Sequence, residues 1–244
     1  MREIFENVSG SPRLRSFTTS YLMIYFIITL SVNLLIRYLP ILDTTALVHV
    51  KNLVVYFIEG ALLYGLIRGI VTKNYRFGDG IASFGETENY IFYLAYSIVN
   101  TLYGAVYSLV GILAEKEGAV GIVGTVLSVI LLVFRLLINF GLVRLYFEKL
   151  VFGSKKLDVG SVVRGCMKTA SEYPKRIIGS ELMLVAVKYV STLMGVAIVS
   201  VVSPGVDSHW MVSFVTSCLV TVQFGALIYV WPVYYLYYKE TCDM

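Results

Sequence analysis

Six long apolar stretches, each with a polar or charged residue near its middle, dominate the pattern along the chain. They run over Tyr21–Leu39, Leu53–Val71, Tyr90–Ala114, Ala119–Leu142, Ile177–Val202 and Met211–Tyr238. A stretch of about 18 or more mainly apolar residues is long enough to cross a bilayer as a helix. Because the apolarity is continuous and does not alternate, these stretches are not strands of a membrane barrel. The pattern predicts an all-α, polytopic bundle of about six membrane-spanning helices.

The composition supports a membrane protein. Of the 244 residues, 57% are hydrophobic and 15% are charged, whereas about a quarter of the residues in a soluble domain are charged. Six crossings of about 20 residues each use roughly half of the chain, and short connections with one longer loop make up the rest. The whole chain, 1–244, is therefore predicted to be a single integral membrane domain whose surroundings are the lipid bilayer.

The connections carry signals of their own. Residues 1–16 are expected to lie at the membrane surface, and the first outer loop is placed at Asp43–His49. The third connection, Glu115–Gly118, reads as a tight turn, and the fourth helix is expected to end near Gly153. The last helix is expected to break or kink near Trp231–Pro232, since proline lacks the N–H that a helix needs.

The fourth connection is predicted to hold an amphipathic helix over Asp158–Tyr173, between the extended fourth helix and the fifth. Its apolar residues recur at helical spacing, and Arg164, Lys168 and Glu172 form an i, i+4 row on another face. Pro174 marks its end. Two placements remain open: the helix lies in the cytoplasmic interface, or it packs under the bundle.

The basic residues predict the orientation. The N-terminus, the second and fourth connections and the C-terminus carry fifteen of the 20 Lys and Arg residues, whereas the opposite side carries three. The positive-inside rule then places both termini in the cytoplasm, with the plasma membrane as the expected location. The fourth connection is interpreted as an ordinary basic cytoplasmic loop, so nucleic acid is not an expected partner.

No motif for catalysis, metal binding or a cofactor stands out. The three cysteines lack metal-ligand spacing, and none lies in an outer loop, so no disulfide is expected. His49 and His209 lie in separate outer loops, and HExxH and GxSxG motifs are absent. Gly118, Gly121 and Gly124 follow no strand, so they are interpreted as helix-packing glycines. We predict a non-enzymatic protein without catalytic, cofactor-binding or metal residues.

Polar residues inside the apolar stretches form the candidate functional site. Asn33, Glu59, Asn100, Arg135, Lys188 and Gln223 lie near the middles of the six stretches, with Asn139 and Glu181 in addition. An ionised group at the bilayer centre costs about 2.5–3.5 kcal/mol, so the charged members are expected to point inward and pair. Glu59 is the acid nearest in depth to Lys188, and Arg135 competes for it. The predicted mid-membrane polar site comprises Glu59, Arg135, Asn139, Glu181 and Lys188.

Two interpretations of this site remain open. One acid with two bases leaves a net positive centre unless Lys188 is neutral or an anion binds. The functional interpretation is thus a polar cavity that binds a small anion or an anionic lipid, or that relays protons. The alternative is hydrogen bonding between helices, which we favour for Asn33, Asn100, Asn139 and Gln223.

The second stretch is predicted to be central in the bundle. Ala61, Gly65 and Gly69 recur every four residues, which lets a neighbouring backbone approach closely. Glu59 points the opposite way, about 200° around the helix from Ala61. A likeness between Gly65–Arg68 and Gly141–Arg144 further suggests a parallel repeat of residues 53–114 and 119–202, a symmetry found in transporters.

The segment Tyr64–Arg68 and the Asp79–Gly80 turn after it resemble a largely archaeal family of six-helix membrane proteins, the domain of unknown function 4013. That family's acidic, proline-containing stretch is missing here, since Asn74–Gly80 has no proline. A more distant similarity is to the membrane domains attached to some glycerophosphodiester phosphodiesterases. Both resemblances imply a membrane fold and no activity.

The residues favour a transporter-like or permease-like protein with a polar mid-membrane site. The alternative is a non-catalytic membrane scaffold or accessory subunit, which would hold a partner membrane protein or lipids through its basic cytoplasmic loop. A water-filled cavity that reaches Glu59 and Lys188 would favour transport, whereas a solid core would favour the scaffold.

Overall fold

The computed structural model describes residues 12–38, 45–72, 74–152, 174–202 and 208–242, together with Gly160, Arg164, Met167, Lys168, Ser171 and Glu172. Over these residues the protein is all-α. The helices are α1 (Pro12–Tyr38), α2 (Thr45–Val71), α3 (Phe77–Ala82), α4 (Tyr90–Ala114), α5 (Ala119–Phe152), α6 (Pro174–Val202) and α7 (Ser208–Cys242). Two 3-10 turns, Ser83–Gly85 and Thr87–Asn89, join the short α3 to α4.

The six long helices coincide with the six apolar stretches, and several are longer than predicted. The bounds of α4 and of the Glu115–Gly118 turn match the prediction. The prediction of a surface segment over 1–16 is wrong for residues 12–16, because α1 begins at Pro12 and Leu14 is buried in the core. The predicted outer loop at Asp43–His49 is helical from Thr45 onward.

In the second half of the chain, a predicted helix end is confirmed and a predicted helix break is absent. The fourth long helix, α5, ends at Phe152, next to the predicted stop at Gly153. The predicted break near Trp231–Pro232 does not occur, because α7 runs through Pro232 as one helix to Cys242, whereas a kink at this proline stays a prediction. Membrane helices tolerate proline since neighbouring helices and local adjustments satisfy the freed backbone groups.

Five segments of the described helices are long and apolar enough to cross a membrane. They are Pro12–Ile36, Val48–Gly69, Thr87–Ala114, Ile178–Val201 and Trp210–Leu227, and α5 contributes a shorter apolar segment, Ala119–Leu132. The outward face is apolar: Ile122 is 67% exposed, Leu193 68% and Val201 78%. Soluble proteins rarely expose a continuous apolar surface of this kind to water. The protein is therefore a multi-span helical membrane protein in contact with a lipid bilayer.

The central helix is α2, as the small-residue stripe predicted. It packs against α1, α3, α4 and α7, and every residue from Glu59 to Ile67 is buried. Gly69 lies against α1, where an added Cβ would be 2.8 Å from a ring carbon of Phe17. On the other side of α2, Glu59 faces its own set of neighbours, so both sides of the helix are covered.

The turn between α4 and α5 brings two backbones together through glycine. Gly118 has a φ of +72°, which side chains disfavour. A Cβ on Gly124 would lie 2.6 Å from the carbonyl carbon of Leu113, and one on Gly121 would overlap the carbonyl oxygen of Lys116. The helix-packing interpretation of Gly121 and Gly124 is confirmed.

The predicted amphipathic helix is described in part. All six of its described residues are helical and exposed. Lys168 Nζ and Glu172 Oε1 are 4.0 Å apart, and Arg164 Nε donates to the carbonyl of Gly160 at 3.2 Å. These contacts confirm the polar row. The apolar positions other than Met167 lie outside the described residues, so both placements of this helix remain open.

The predicted repeat of 53–114 and 119–202 stays a prediction. In the first unit α2 packs closely against α4, whereas in the second unit the described parts of α5 and α6 touch only weakly, and α6 packs mainly on α7. The helices of the two units thus differ in their pairing.

Candidate functional site: a tyrosine-bound acid and two basic residues

Glu59 is the centre of a hydrogen-bonded cluster that joins α1, α2 and α4. It lies near the middle of α2 and is 8% exposed. Tyr25 of α1 donates its hydroxyl to Glu59 Oε2 at 2.6 Å, and Tyr96 of α4 donates its hydroxyl to Oε1. Hydrogen bonds to a carboxylate are about twice as strong as those between neutral groups. The two tyrosines therefore occupy both oxygens of the acid.

Aromatic rings from two further helices enclose this cluster. Phe224 of α7 stacks on Tyr25 with ring centroids 4.2 Å apart. Tyr146 of α5 stacks on Tyr96 at 6.0 Å, and its hydroxyl oxygen would be 2.6 Å from a Cβ added to Gly60. The absence of a side chain at Gly60 thus makes room for the Tyr146 hydroxyl beside Glu59.

Arg135 lies on α5 and interacts with Glu59 electrostatically, without an ion pair between the two described side chains. Its guanidinium carbon is 4.8 Å from the ring centroid of Tyr103 on α4, a cation–π contact. The Tyr103 hydroxyl donates to the carbonyl of Leu131, one turn before Arg135, at 3.1 Å. Tyr103 therefore bonds to α5 and supports the arginine at the same time. Arg135 is half-buried and within electrostatic reach of both Glu59 and Tyr56.

Lys188 lies in the middle of α6 and interacts electrostatically with Arg135. It counts among the exposed residues, although protein atoms surround much of its length. The next residue, Tyr189, interacts electrostatically with Tyr107 of α4.

The predicted pairing of the intramembrane charges is wrong. Neither Arg135 nor Lys188 forms an ion pair with Glu59 among the described side chains, since the partners of this acid are Tyr25 and Tyr96. The physical reason is that phenol hydroxyls from helices adjacent to α2 satisfy both carboxylate oxygens without a second charge. The two basic residues are brought near each other instead.

The remaining predicted site residues lie apart. Glu181 is buried at 1% exposure, near the start of α6. It is seven residues from Lys188, or roughly 10 Å along the helix axis, so the two side chains share a face without meeting. The side chain of Asn139 lies outside the described residues. The structure therefore gives Glu59 a hydrogen-bonded cluster of its own, while Arg135 lies within electrostatic reach of both Glu59 and Lys188.

Other intramembrane polar residues connect helices. Asn33 of α1 donates to Ser217 Oγ of α7 at 3.0 Å, and Gln223 of α7 donates to Ser191 Oγ of α6 at 3.2 Å. These bonds confirm the interhelical interpretation for Asn33 and Gln223. For the Nδ2 of Asn100 that interpretation is wrong, because this group donates to the carbonyl of Tyr96 in its own helix at 2.8 Å.

The tyrosine partners of Glu59 are the residues that the sequence reasoning missed. The chain has 19 tyrosines, and tyrosine in membrane proteins usually lies at the headgroup level. Tyr25 and Tyr96 lie instead at the level of Glu59, inside apolar stretches. The sequence does contain a signal for such partners. A tyrosine well inside an apolar stretch needs a hydrogen-bond partner for its hydroxyl there.

A cavity of about 340 Å³ opens at the α4–α5 turn, and its lining includes Ala114, Lys116, Gly121 and Thr125. It lies at the opposite end of α4 from Tyr96 and so does not lead to Glu59. Within the described part of the chain, no group of three or more His, Cys, Asp or Glu residues could hold a metal ion.

Comparisons of the chain with protein-family models, with curated proteins and with solved structures found no match. The resemblance to the archaeal six-helix family stays a prediction. The geometry of the intramembrane polar residues is therefore the basis on which a function can be proposed.

Proposed function

We propose that the protein is a transporter-like, multi-pass membrane protein that binds a small anion between Arg135 and Lys188. The supporting observation is that these two basic side chains interact inside the membrane, while the described residues provide neither with a carboxylate partner within ion-pair distance. Two like charges in a medium of low dielectric constant repel each other strongly. An anion bound between the two basic side chains would offset that repulsion, because each base would attract the anion.

The surrounding tyrosines support the proposed anion site. Tyr103 holds the Arg135 guanidinium in place through its ring, which leaves the N–H groups at the edge of the guanidinium for a ligand. Tyr189, the residue after Lys188, interacts electrostatically with Tyr107 of α4.

A small soluble anion fits the proposed site better than a lipid headgroup. Arg135 and Lys188 lie near the middles of α5 and α6. The hydrocarbon core is about 30 Å thick, so headgroups lie roughly 15 Å from that depth. Chloride, acetate and inorganic phosphate are the anion classes that we would test first.

We further propose that α5 crosses the membrane as a sixth span, that both termini lie in the cytoplasm and that the protein resides in the plasma membrane. The 34 residues of α5 would extend about 51 Å as a straight helix, which exceeds the thickness of the bilayer. The excess of basic residues on one set of connections supports the orientation. Membership of the archaeal six-helix family and a non-enzymatic role belong to the same proposal.

Transport assays of purified protein in liposomes test the proposed anion site. With radiolabelled chloride, acetate and phosphate as probes, we expect uptake of at least one probe. Arg135→Leu and Lys188→Leu should each lower its initial rate by about tenfold or more, since tenfold in affinity corresponds to about 1.4 kcal/mol. Arg13→Gln, which removes an exposed charge at the start of α1, is the matched control and should transport normally.

Folding is measured on the same variants by size-exclusion chromatography in detergent. Monodisperse variants without uptake would support an anion site. Loss of folded protein in both leucine variants would favour a structural role for the two bases, and absence of uptake by the unsubstituted protein for every probe would contradict the proposed transport.

The second candidate function is a membrane scaffold that binds partners through its cytoplasmic face. It is supported by the exposure of Arg164, Met167, Lys168 and Glu172, which present charged and apolar groups together. Substitution of Arg164 and Lys168 by Glu should then abolish co-purification with a partner membrane protein, while the mid-membrane variants leave co-purification unchanged.

A further inference from the structure

We propose that Glu59 binds a proton and couples it to the anion, so that the two cross the membrane together. This inference deepens the proposed function and rests on it, because the anion between Arg135 and Lys188 is the coupled partner. Its basis is the geometry of the tyrosine cluster and the position of this cluster beside Arg135.

Both oxygens of Glu59 accept hydrogen bonds from phenols on two different helices. A carboxylate is an acceptor at every lone pair, whereas a carboxylic acid carries one O–H donor. When a proton adds to Glu59, the oxygen that receives it becomes a donor. Its tyrosine then either rotates to accept that bond or keeps donating to an oxygen that is now a weaker, neutral acceptor. Proton binding therefore changes one of the two links that hold α1 and α4 to α2.

The same event changes the charge beside the proposed anion site. Tyr56 lies three residues before Glu59 on the same face of α2 and interacts electrostatically with both Glu59 and Arg135. The negative charge of Glu59 lies within reach of Arg135 and partly offsets its attraction for an anion. A neutral Glu59 removes that offset. Proton binding should therefore increase anion affinity, and by reciprocity the anion should increase proton affinity.

The groups around Glu59 make it the proton-exchanging member of the cluster. Tyr25, Tyr56, Tyr96, Tyr146 and Arg135 are the titratable groups that face it from α1, α2, α4 and α5, while the described contact from α7 is the apolar ring of Phe224. Phenols and guanidinium groups have reference pKa values of about 10 and above 12. Among these groups a carboxyl is the one that exchanges a proton most readily below neutral pH.

Infrared difference spectra of the reconstituted protein provide a test that does not depend on transport. Acidification protonates carboxylates throughout the chain, which has 16 Asp and Glu residues, so the variants are compared by difference. The band of Glu59 is the carbonyl component that the unsubstituted protein shows and Glu59→Gln lacks. The transported probe anion should shift the pH at which the band reaches half its height. Glu117→Gln, at an exposed acid in the α4–α5 turn, is the control and should retain the band.

Liposomes that contain a pH-sensitive dye test the coupling itself. Uptake of the probe anion by the unsubstituted protein should be accompanied by proton uptake. Glu59→Gln should lose the proton signal, and its exchange of labelled for unlabelled anion should become independent of pH, because the group that carries the proton is gone. Proton uptake that persists in Glu59→Gln, or anion uptake without protons in the unsubstituted protein, would overturn the inference.

Different results would contradict the proposed anion transport and the proposed proton coupling. If the unsubstituted protein moves no probe anion, both the proposed transport and its coupling fail, whereas uptake of an anion without protons leaves the transport and removes the coupling. If Glu59→Gln does not fold, Tyr25→Phe and Tyr96→Phe take its place, since each retains the acid and deletes one hydroxyl donor. Each should shift the pH midpoint of the infrared band, and unchanged midpoints in both would overturn proton binding at Glu59.

Discussion

Tyr25 donates its hydroxyl to Glu59 in the interior of the bundle, where water cannot replace the bond. A buried acceptor that loses its donor keeps the whole desolvation cost, which is larger than the net gain from an ordinary hydrogen bond. At the scale of the single residue, the tyrosine hydroxyls are therefore as important to the site as the acid that they contact.

Tyr25→Phe should lower the free energy of unfolding by about 1.5–3 kcal/mol, the range for hydrogen bonds to charged groups. The ring stays, so its stacking on Phe224 is preserved. The measurement is unfolding by SDS in mixed micelles, followed by circular dichroism. Tyr38→Phe, which removes a hydroxyl from an exposed residue of the same helix, is the control. Equal stability of the two variants would contradict a hydrogen bond to Glu59.

Asn33 and Ser217 provide a residue-scale test of interhelical hydrogen bonding. Their bond of 3.0 Å joins α1 to α7. A double-mutant cycle with Asn33→Ala and Ser217→Ala should give a coupling free energy of about 0.6 kcal/mol, the average for such bonds in a membrane protein. Unfolding in mixed micelles again supplies the measurement, and additive effects of the two substitutions would argue against the bond.

At the scale of the element, α4 and α5 approach each other more closely than side chains would allow. Their glycines are distributed unevenly: an added Cβ on Gly124 would meet the backbone of Leu113 and Ala114, whereas one on Gly111 would have nothing within 4 Å. This contrast distinguishes a glycine required by packing from one that is merely helical.

Gly124→Ala should destabilise the protein by about 1–3 kcal/mol, because the new methyl group forces the two backbones apart. Gly111→Ala should have no cost and can stabilise by up to about 1 kcal/mol, since alanine favours helix more than glycine does. The unfolding assay described for Tyr25→Phe compares them. Equal effects would contradict the close approach of α4 and α5.

At the scale of the whole molecule, the outward apolar surface and the distribution of basic residues both relate to how the protein lies in the membrane. Exposed side chains such as Leu193 and Val201 face the lipid. The basic connections support the proposed orientation through the cytoplasmic preference of Lys and Arg. Orientation therefore follows from charges outside the bundle and is independent of the Glu59 cluster.

Labelling of single cysteines tests the proposed orientation. Ser171→Cys and Glu117→Cys each introduce a thiol at an exposed position, in a background in which Cys166, Cys218 and Cys242 are replaced by serine or alanine. A membrane-impermeant maleimide added to intact cells should label the Glu117 position and spare the Ser171 position. Permeabilisation should make both reactive. The opposite pattern in intact cells would invert the proposed topology.

The sequence by itself determined the helical membrane character and the approximate extent of the long helices. Apolar length is a local property of composition, and a span must be continuous to satisfy its backbone in lipid. For this reason the bounds of α4 were predicted without error. The central position of α2 also followed from the sequence, because Glu59 and the small-residue stripe lie on opposite sides of one helix.

Only the tertiary structure decided which polar groups meet. Helical spacing describes neighbours on the same helix, but it contains no information on which face of α1 or α4 turns toward α2. The sequence therefore suggested a base as the partner of Glu59, whereas the packing of α1 and α4 brings Tyr25 and Tyr96 to it. The same packing places the Arg135 guanidinium over the Tyr103 ring and within reach of Lys188, because contacts between helices depend on their relative rotation and not on sequence distance.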